Sequence, residues 1–167
     1  RSPLVSASRG LRRAVGVQAL AAQVQHAELA LDESEERFRT LVESATDAIV
    51  LAVEQGKIMS WNKAANRLFG YRVEEVQGRL LTMLMPVRYR EAHEQGFRRV
   101  QATGESKLIG HLIAVEGLRK DGTEFPLELS LAAWKSRGRS FYSGIIRDIT
   151  ARRRSEEALD RLQRQHA

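Results

Sequence analysis

The chain has 167 residues, is 43% hydrophobic and 29% charged, and carries a net charge of +6 with no cysteine. That length allows one domain of ordinary size with extensions. Disulfides, thiolate catalysis and thiolate-bound metals or clusters are excluded, and no apolar run approaches the ~20 residues that span a bilayer, so no direct membrane insertion is expected. The basic residues are scattered or sit in terminal runs such as Arg12-Arg13 and Arg152-Arg153-Arg154, without interleaved aromatics. They read as a solvated face, so no nucleic-acid partner is expected. Because the chain begins at Arg1 without a Met, we expect a piece of a longer protein.

From Val17 an apolar heptad track runs through Val24, Leu31, Phe38 and Ala45, with a second through Leu20, Ala27 and Leu41 interrupted only by Ser34. Two apolar positions per heptad make a coiled-coil seam, which predicts a homodimer through the N-terminal helix; a single amphipathic helix on the domain's own sheet is the other reading. Asp32 followed by Glu35 has the form of a fresh N-cap, so a joint between two helices is predicted near Asp32. Residues Arg1 to Gly16 carry no periodic signal.

Asp47 to Val53 and Lys57 to Trp61 predict two short strands joined by a turn at Gly56. Asn62 is placed to cap a helix whose apolar positions are Ala64, Ala65, Leu68 and Phe69 and whose end is Gly70. Val73 to Val76 adds one helical turn closed by Gly78. Past Met85-Pro86, the segment Val87 to Thr103 predicts a longer helix with Tyr89, His93, Phe97 and Val100 near one stripe and Gly104 as its stop.

Three strands follow in series: Leu112 to Lys120, Glu124 to Trp134 and Phe141 to Ile149. Asp121-Gly122 joins the first two as a tight hairpin. In the middle strand Phe125, Leu127, Leu129, Leu131 and Ala133 alternate with Glu124, Pro126, Glu128, Ser130 and Ala132, the period of a sheet with one covered face. Pro126 lacks a donor, which predicts a bulge or an unpaired position there. The element order gives an α+β domain, one antiparallel sheet with short helices on one face. Beyond Ile149 a polar helix is predicted, supported by Arg152 with Glu156 and Glu157 with Arg161 and leading away from the core.

No catalytic arrangement is evident. Glu74-Glu75 and Glu156-Glu157 sit on polar helix faces, no serine stands in a nucleophile elbow, no glycine-rich phosphate loop occurs, and His26, His93, His111 and His166 lack metal-ligand spacing. Not an enzyme, this segment is expected to bind or connect.

Trp61-Asn62-Lys63-Ala64-Ala65-Asn66-Arg67-Leu68-Phe69-Gly70-Tyr71, then Gly78, then Arg119-Lys120-Asp121-Gly122-Thr123-Glu124-Phe125-Pro126, and last Gly144-Ile145-Ile146-Arg147-Asp148-Ile149-Thr150 resemble a PAS domain of bacterial signalling proteins. The resemblance covers roughly Glu35 to Arg154. It implies the PAS fold, five strands in the order 2-1-5-4-3, with helices enclosing a small pocket and flanking helices at both ends. On this reading residues 1–34 are an N-terminal linker or coiled-coil helix, 35–150 the PAS domain and 151–167 a C-terminal signalling helix. Asp148, Ile149 and Thr150 match the junction through which such domains pass a signal to a covalently linked effector domain. The parent protein is expected to be a two-component histidine kinase or a diguanylate cyclase, with this segment cytoplasmic; a membrane tether elsewhere in the parent is compatible with that expectation.

The nearest subgroup is the haem-containing PAS domain of rhizobial oxygen-sensing kinases. Met85-Pro86 followed by His93 matches the spacing of that group's axial haem ligand, which would make His93 the iron ligand and the one metal-binding residue. Arg99 matches a propionate partner and Lys107 stands at a second propionate contact. Ile113 replaces the arginine that contacts bound gas in that subgroup. His111 is expected on the same strand face as Ile113, and Leu129 and Leu131 complete the predicted pocket wall. Three occupancies stay open on the residues: an empty, self-filled or small-molecule pocket, haem, and flavin. Covalent flavin photochemistry is excluded because it needs a cysteine. The corresponding functions are a sensory module that dimerises and relays, a haem gas or redox sensor, and a structural dimerisation connector.

Overall fold

The computed structural model describes residues 3–104 and 108–165, with residues 3–10 as backbone. The chain divides into two units, Arg1–Leu41 and Val42–Ala167. In the first, helix α1 begins at Pro3, and it runs unbroken to Ser44. The predicted joint at Asp32 is absent: from Val17 to Ser44 there is no glycine or proline, so the backbone ladder has nothing to interrupt it and Asp32 continues the helix instead of capping a new one. The segment before Gly16, which has no periodicity, is helical too from Pro3. Val17, Leu20, Val24, Leu31, Phe38 and Leu41, the seam positions, are 50% to 70% exposed in the single chain.

The second unit is built on one antiparallel sheet. Its strands are β1 Ala48–Val53, β2 Ile58–Trp61, β3 Leu112–Leu118, β4 Glu124–Ser136 and β5 Arg139–Asp148. They lie in the order β2-β1-β5-β4-β3, as the resemblance implies. Between β2 and β3 come α2 Lys63–Phe69, α3 Val73–Val76 and α4 Val87–Thr103, and α5 Thr150–Gln165 follows β5. Two single 3₁₀ turns, Glu54–Gly56 and Leu81–Leu84, have no periodic signal in the sequence.

One sheet face carries the core. Ala48, Val50 and Ala52 of β1, Phe125 and Leu127 of β4 and Ile146 of β5 are buried there beneath Ala65, Phe69 and Val76. Phe69 is the keystone, 5.4 Å from the Trp61 ring and 5.6 Å from the Phe125 ring. Burying such a side chain stabilises by roughly 1.5–3 kcal/mol. Packing is tight enough that β3 needs a glycine: a Cβ at Gly117 would sit 2.6 Å from Leu127 Cδ2 and 2.8 Å from the Phe125 ring.

Local chemistry sets the boundaries. Asn62 caps α2 by accepting from Ala65 N at 3.0 Å, and Gly70 ends it in the left-handed conformation. Asp121 accepts from Thr123 N and Oγ1, at 2.9 and 2.7 Å, to fix the β3–β4 turn. Pro126 makes no bulge. It stands opposite Glu116 in an unshifted register, β4–β5 pairing starts one residue later at Leu127, and the Pro126 carbonyl accepts from Ile149 N at 3.1 Å. The irregularity lies instead between Leu51 and Ala52, where β1 meets β2.

Candidate functional site

Two places in the second unit concentrate chemistry, one at each end of β5. At its C-terminal end Asp148 is the hub. Its Oδ1 accepts from Thr150 N at 2.8 Å and from Thr150 Oγ1 at 2.5 Å, holding the first turn of α5, while Oδ2 accepts from Arg119 at 3.0 Å. Arg119 also donates its Nε–H to the Leu68 carbonyl of α2 at 3.1 Å and lies 4.0 Å above the Phe125 ring. Ile149 between them is buried. The three residues Asp148, Ile149 and Thr150 thus form a cap, an apolar anchor and a helix start, and Arg119 ties that junction to the helices over the sheet.

The same end receives the incoming chain. Asn62 is fully buried: its Oδ1 accepts from Ile49 N and Ala65 N, and its Nδ2 donates to the carbonyls of Val42 and Asp47, at 2.8 to 3.1 Å. All four bonds of one amide are used. Asp47 accepts two bonds from Arg147 of β5, at 2.9 and 3.1 Å. Arg147 in turn stands opposite Glu128 of β4, and Glu128 pairs with Arg152 of α5. The Arg152 guanidinium holds the Glu128 carboxyl below its ordinary range. Arg153 reaches Glu116 of β3 at 3.5 Å, so the predicted Arg152–Glu156 pair, at 3.7 Å, is secondary to the contacts with the sheet.

At the other end of β5, α4 covers a cleft of about 270 Å³ lined by the Gln55-Gly56 turn, the Leu80–Thr82 segment and His93, Glu94, Phe97, Arg98 and Gln101. His93 and Phe97 lie one turn apart with ring centres at 6.0 Å and planes 28° apart, and Phe97 contacts Tyr142 of β5 at 4.6 Å. His93 Nδ1 is buried without a partner, and burial lowers the imidazole pKa against a small opposing pull from Glu94.

The predicted pocket residues do not converge. Of those that are described, only His93 lines the α4 cleft. Arg99 is exposed, with its carbonyl accepting from Thr103. His111 is also exposed and precedes β3, so it does not share a strand face with Ile113: Gly110 turns the chain there at φ +84°. Ile113 pairs with Leu129, and Leu129 and Leu131 lie over Gly144, closing the inner sheet face with side chains. Lys107 and His166 fall outside the described residues. An unbonded, uncharged imidazole suits an axial iron ligand, but the rest does not fit a haem. The cleft is below the ~300–1,000 Å³ common for pockets of drug-sized ligands, a porphyrin is larger, and Ile113, Leu129 and Leu131 are not in its wall. Among the described residues no group of three His, Asp or Glu could hold a metal ion.

Asn62 and Arg119 were legible only as a helix cap and a hairpin residue. Their wider roles come from tertiary partners 13 to 51 residues away, which no local pattern encodes.

The family described as PAS fold matches residues 36–149. The chain belongs to the PAS family. It is 33% identical over 134 residues to the sensor protein FixL of Bradyrhizobium diazoefficiens, covering 80% of this chain and 26% of that one. It is 30% identical over 131 residues to the cell-division control histidine kinase PdhS of Brucella ovis, covering 78% of this chain and 12% of the relative. The chain therefore spans about a quarter of one relative and an eighth of the other. Among solved structures, the PAS domain of an HTR-like protein from Haloarcula marismortui superposes with a TM-score of 0.59 at 27% identity, covering 75% of this chain and 99% of that one. A PAS domain is a sensory module, and PAS domains in sensor kinases commonly dimerise and are linked to effector domains. Among the described residues no helix is long and apolar enough to cross a membrane.

Proposed function

We propose that this PAS domain senses at α4 and relays through β5 to α5, which hands the signal to an effector domain in the same polypeptide, within a homodimer joined along α1. The observation that carries the proposal is the Asp148-Ile149-Thr150 junction: the start of α5 is bonded to Asp148, and Asp148 through Arg119 to α2, so a shift in α2 has a bonded path to α5. Between Tyr142, in contact with α4, and Asp148, β5 spans about 20 Å at ~3.4 Å per residue. Sensing is then a shift of population between two poses of α5. The exposed apolar track of α1 supports the dimer. A structural connector with a self-filled interior is the second reading, supported by Leu129 and Leu131 lying over Gly144.

A double-mutant cycle separates the two. Amide exchange in α5 is measured for the wild type, Phe97→Leu, Asp148→Asn and the double variant. The relay expects Phe97→Leu to change α5 exchange and this effect to vanish in the Asp148→Asn background, a coupling of about 0.5–2 kcal/mol. Additive effects favour the connector. Light scattering on Val24→Glu/Leu31→Glu should give monomers, and a surviving dimer would place the seam elsewhere.

A further inference from the structure

His93 Nδ1 is buried and unbonded; among the described residues Trp61 Nε1 and Asn66 Oδ1 share that condition, but of the three only His93 lines the α4 cleft. Such an atom costs free energy until something bonds it. Burial keeps the ring neutral near pH 7, and in the commoner neutral tautomer, with the proton on Nε2, Nδ1 is an acceptor. Beside it the Phe97 ring continues a flat apolar wall, Leu80 and Leu81 face it, and Gly56 offers no side chain to fill the gap. At the rim Gln55 is held at φ +66°, a left-handed conformation that costs energy for a residue with a side chain and tends to persist at ligand clamps. The charges of the wall, Glu94 and Arg98, are balanced and four residues apart on α4, so the cleft selects no net charge. Its volume of about 270 Å³ is that of roughly nine waters at ~30 Å³ each, hence a ligand of about nine non-hydrogen atoms.

We propose that this cleft binds a small uncharged aromatic compound, which donates one N–H or O–H to His93 Nδ1 and lays its ring along Phe97. The site lies under α4 beside the β1–β2 turn and shares no wall with Ile113, Leu129 or Leu131. Its consequence for signalling rests on the sensory reading, because a ligand against Phe97 bears on Tyr142 and β5. Its existence does not.

Indole is the probe, since it has the required size and a single N–H; 1-methylindole is nearly the same size and has no donor. Both are titrated into the full chain while the His93 ring nitrogens and the Phe97 ring are followed by NMR. Indole should shift both sets of signals saturably, 1-methylindole should bind roughly tenfold more weakly or worse, and His93→Leu should abolish that discrimination. Equal binding of the two compounds by the wild type overturns the proposal, as does the absence of saturation with indole at millimolar concentration. So does a Soret band on adding haem that is lost in His93→Ala, which would give the imidazole to iron. The exchange cycle above contains no ligand, so the relay and the cleft can each fail alone.

Discussion

The two ends of β5 solve opposite problems. At the Asp148 end polar groups are plentiful and matched: Asp148 with Arg119 and Thr150, Asp47 with Arg147, Glu128 with Arg152, and Asn62 with four backbone groups. At the Tyr142 end rings meet rings, and the unbonded His93 nitrogen faces a cleft, whereas the unbonded Trp61 Nε1 and Asn66 Oδ1 do not line it. Hydrogen bonds are directional, whereas apolar contacts are not. The difference teaches what the proposed relay requires: change taken up at the α4 cleft, where contacts are non-directional, and read at the α5 junction, where they are directional.

The sharpest way to break this contrast is to remove matched bonds at one end and the unmatched atom at the other. Asn62→Ala strands two amide donors and two carbonyls and should cost about 3 kcal/mol or more in urea unfolding. His93→Leu removes a buried atom without a partner and should stay within roughly 1 kcal/mol of the wild type. Equal losses would erase the distinction.

Acid separates the ends next. Burial keeps His93 less basic in the folded protein than its ordinary value of 6.5. Below about pH 6.5 the unfolded chain therefore takes up a proton that the folded one resists, and stability falls with falling pH until the folded pKa is passed. The carboxyls act with the same sign in a lower window: Glu128 is held below 4.5 chiefly by Arg152, Glu75 by Lys120 and Glu124 by Arg88. Their contribution is present above pH 4.5 and is lost as pH falls through the lowered values. Amide exchange should thus show α4 loosening below about pH 6.5, before the carboxyl window opens at 4.5, while α5 stays protected, and His93→Leu should flatten that step. The smallest effect is expected from salt. At ~1 M, where screening acts within ~3 Å, the partly exposed Arg152–Glu128 and Arg153–Glu116 pairs weaken, so α5 should exchange modestly faster and the α4 cleft should not respond.

What the sequence made legible was local. The alternation of Phe125, Leu127 and Leu129, the Asp121-Gly122 turn, and the Asn62 and Gly70 caps needed only near neighbours, and each forms as expected. The hairpin of β4 and β5 runs longer than Trp134 and Phe141 because Arg137 and Gly138, both at positive φ, make a tight turn that the polar composition hides. Asp32 has cap chemistry, but a strong helix on both sides overrides it. The site was harder still. Whether His93 and Ile113 share a cavity depends on the roll of α4 over the sheet, and no spacing within either element determines that roll. The junction was nameable from its motif, yet its connection to Arg119 is a contact across 29 residues that only the folded hairpin creates.

Asn62 also fixes an angle. Its amide grips the carbonyl of Val42, inside the last turns of α1, and the carbonyl of Asp47 after the helix ends. Successive carbonyls of a helix sit ~100° apart around its axis. Turning the last turn of α1, at Val42, about its axis would therefore draw that carbonyl away from the buried amide. One side chain thereby fastens the end of α1, the first strand and the start of α2 to one another.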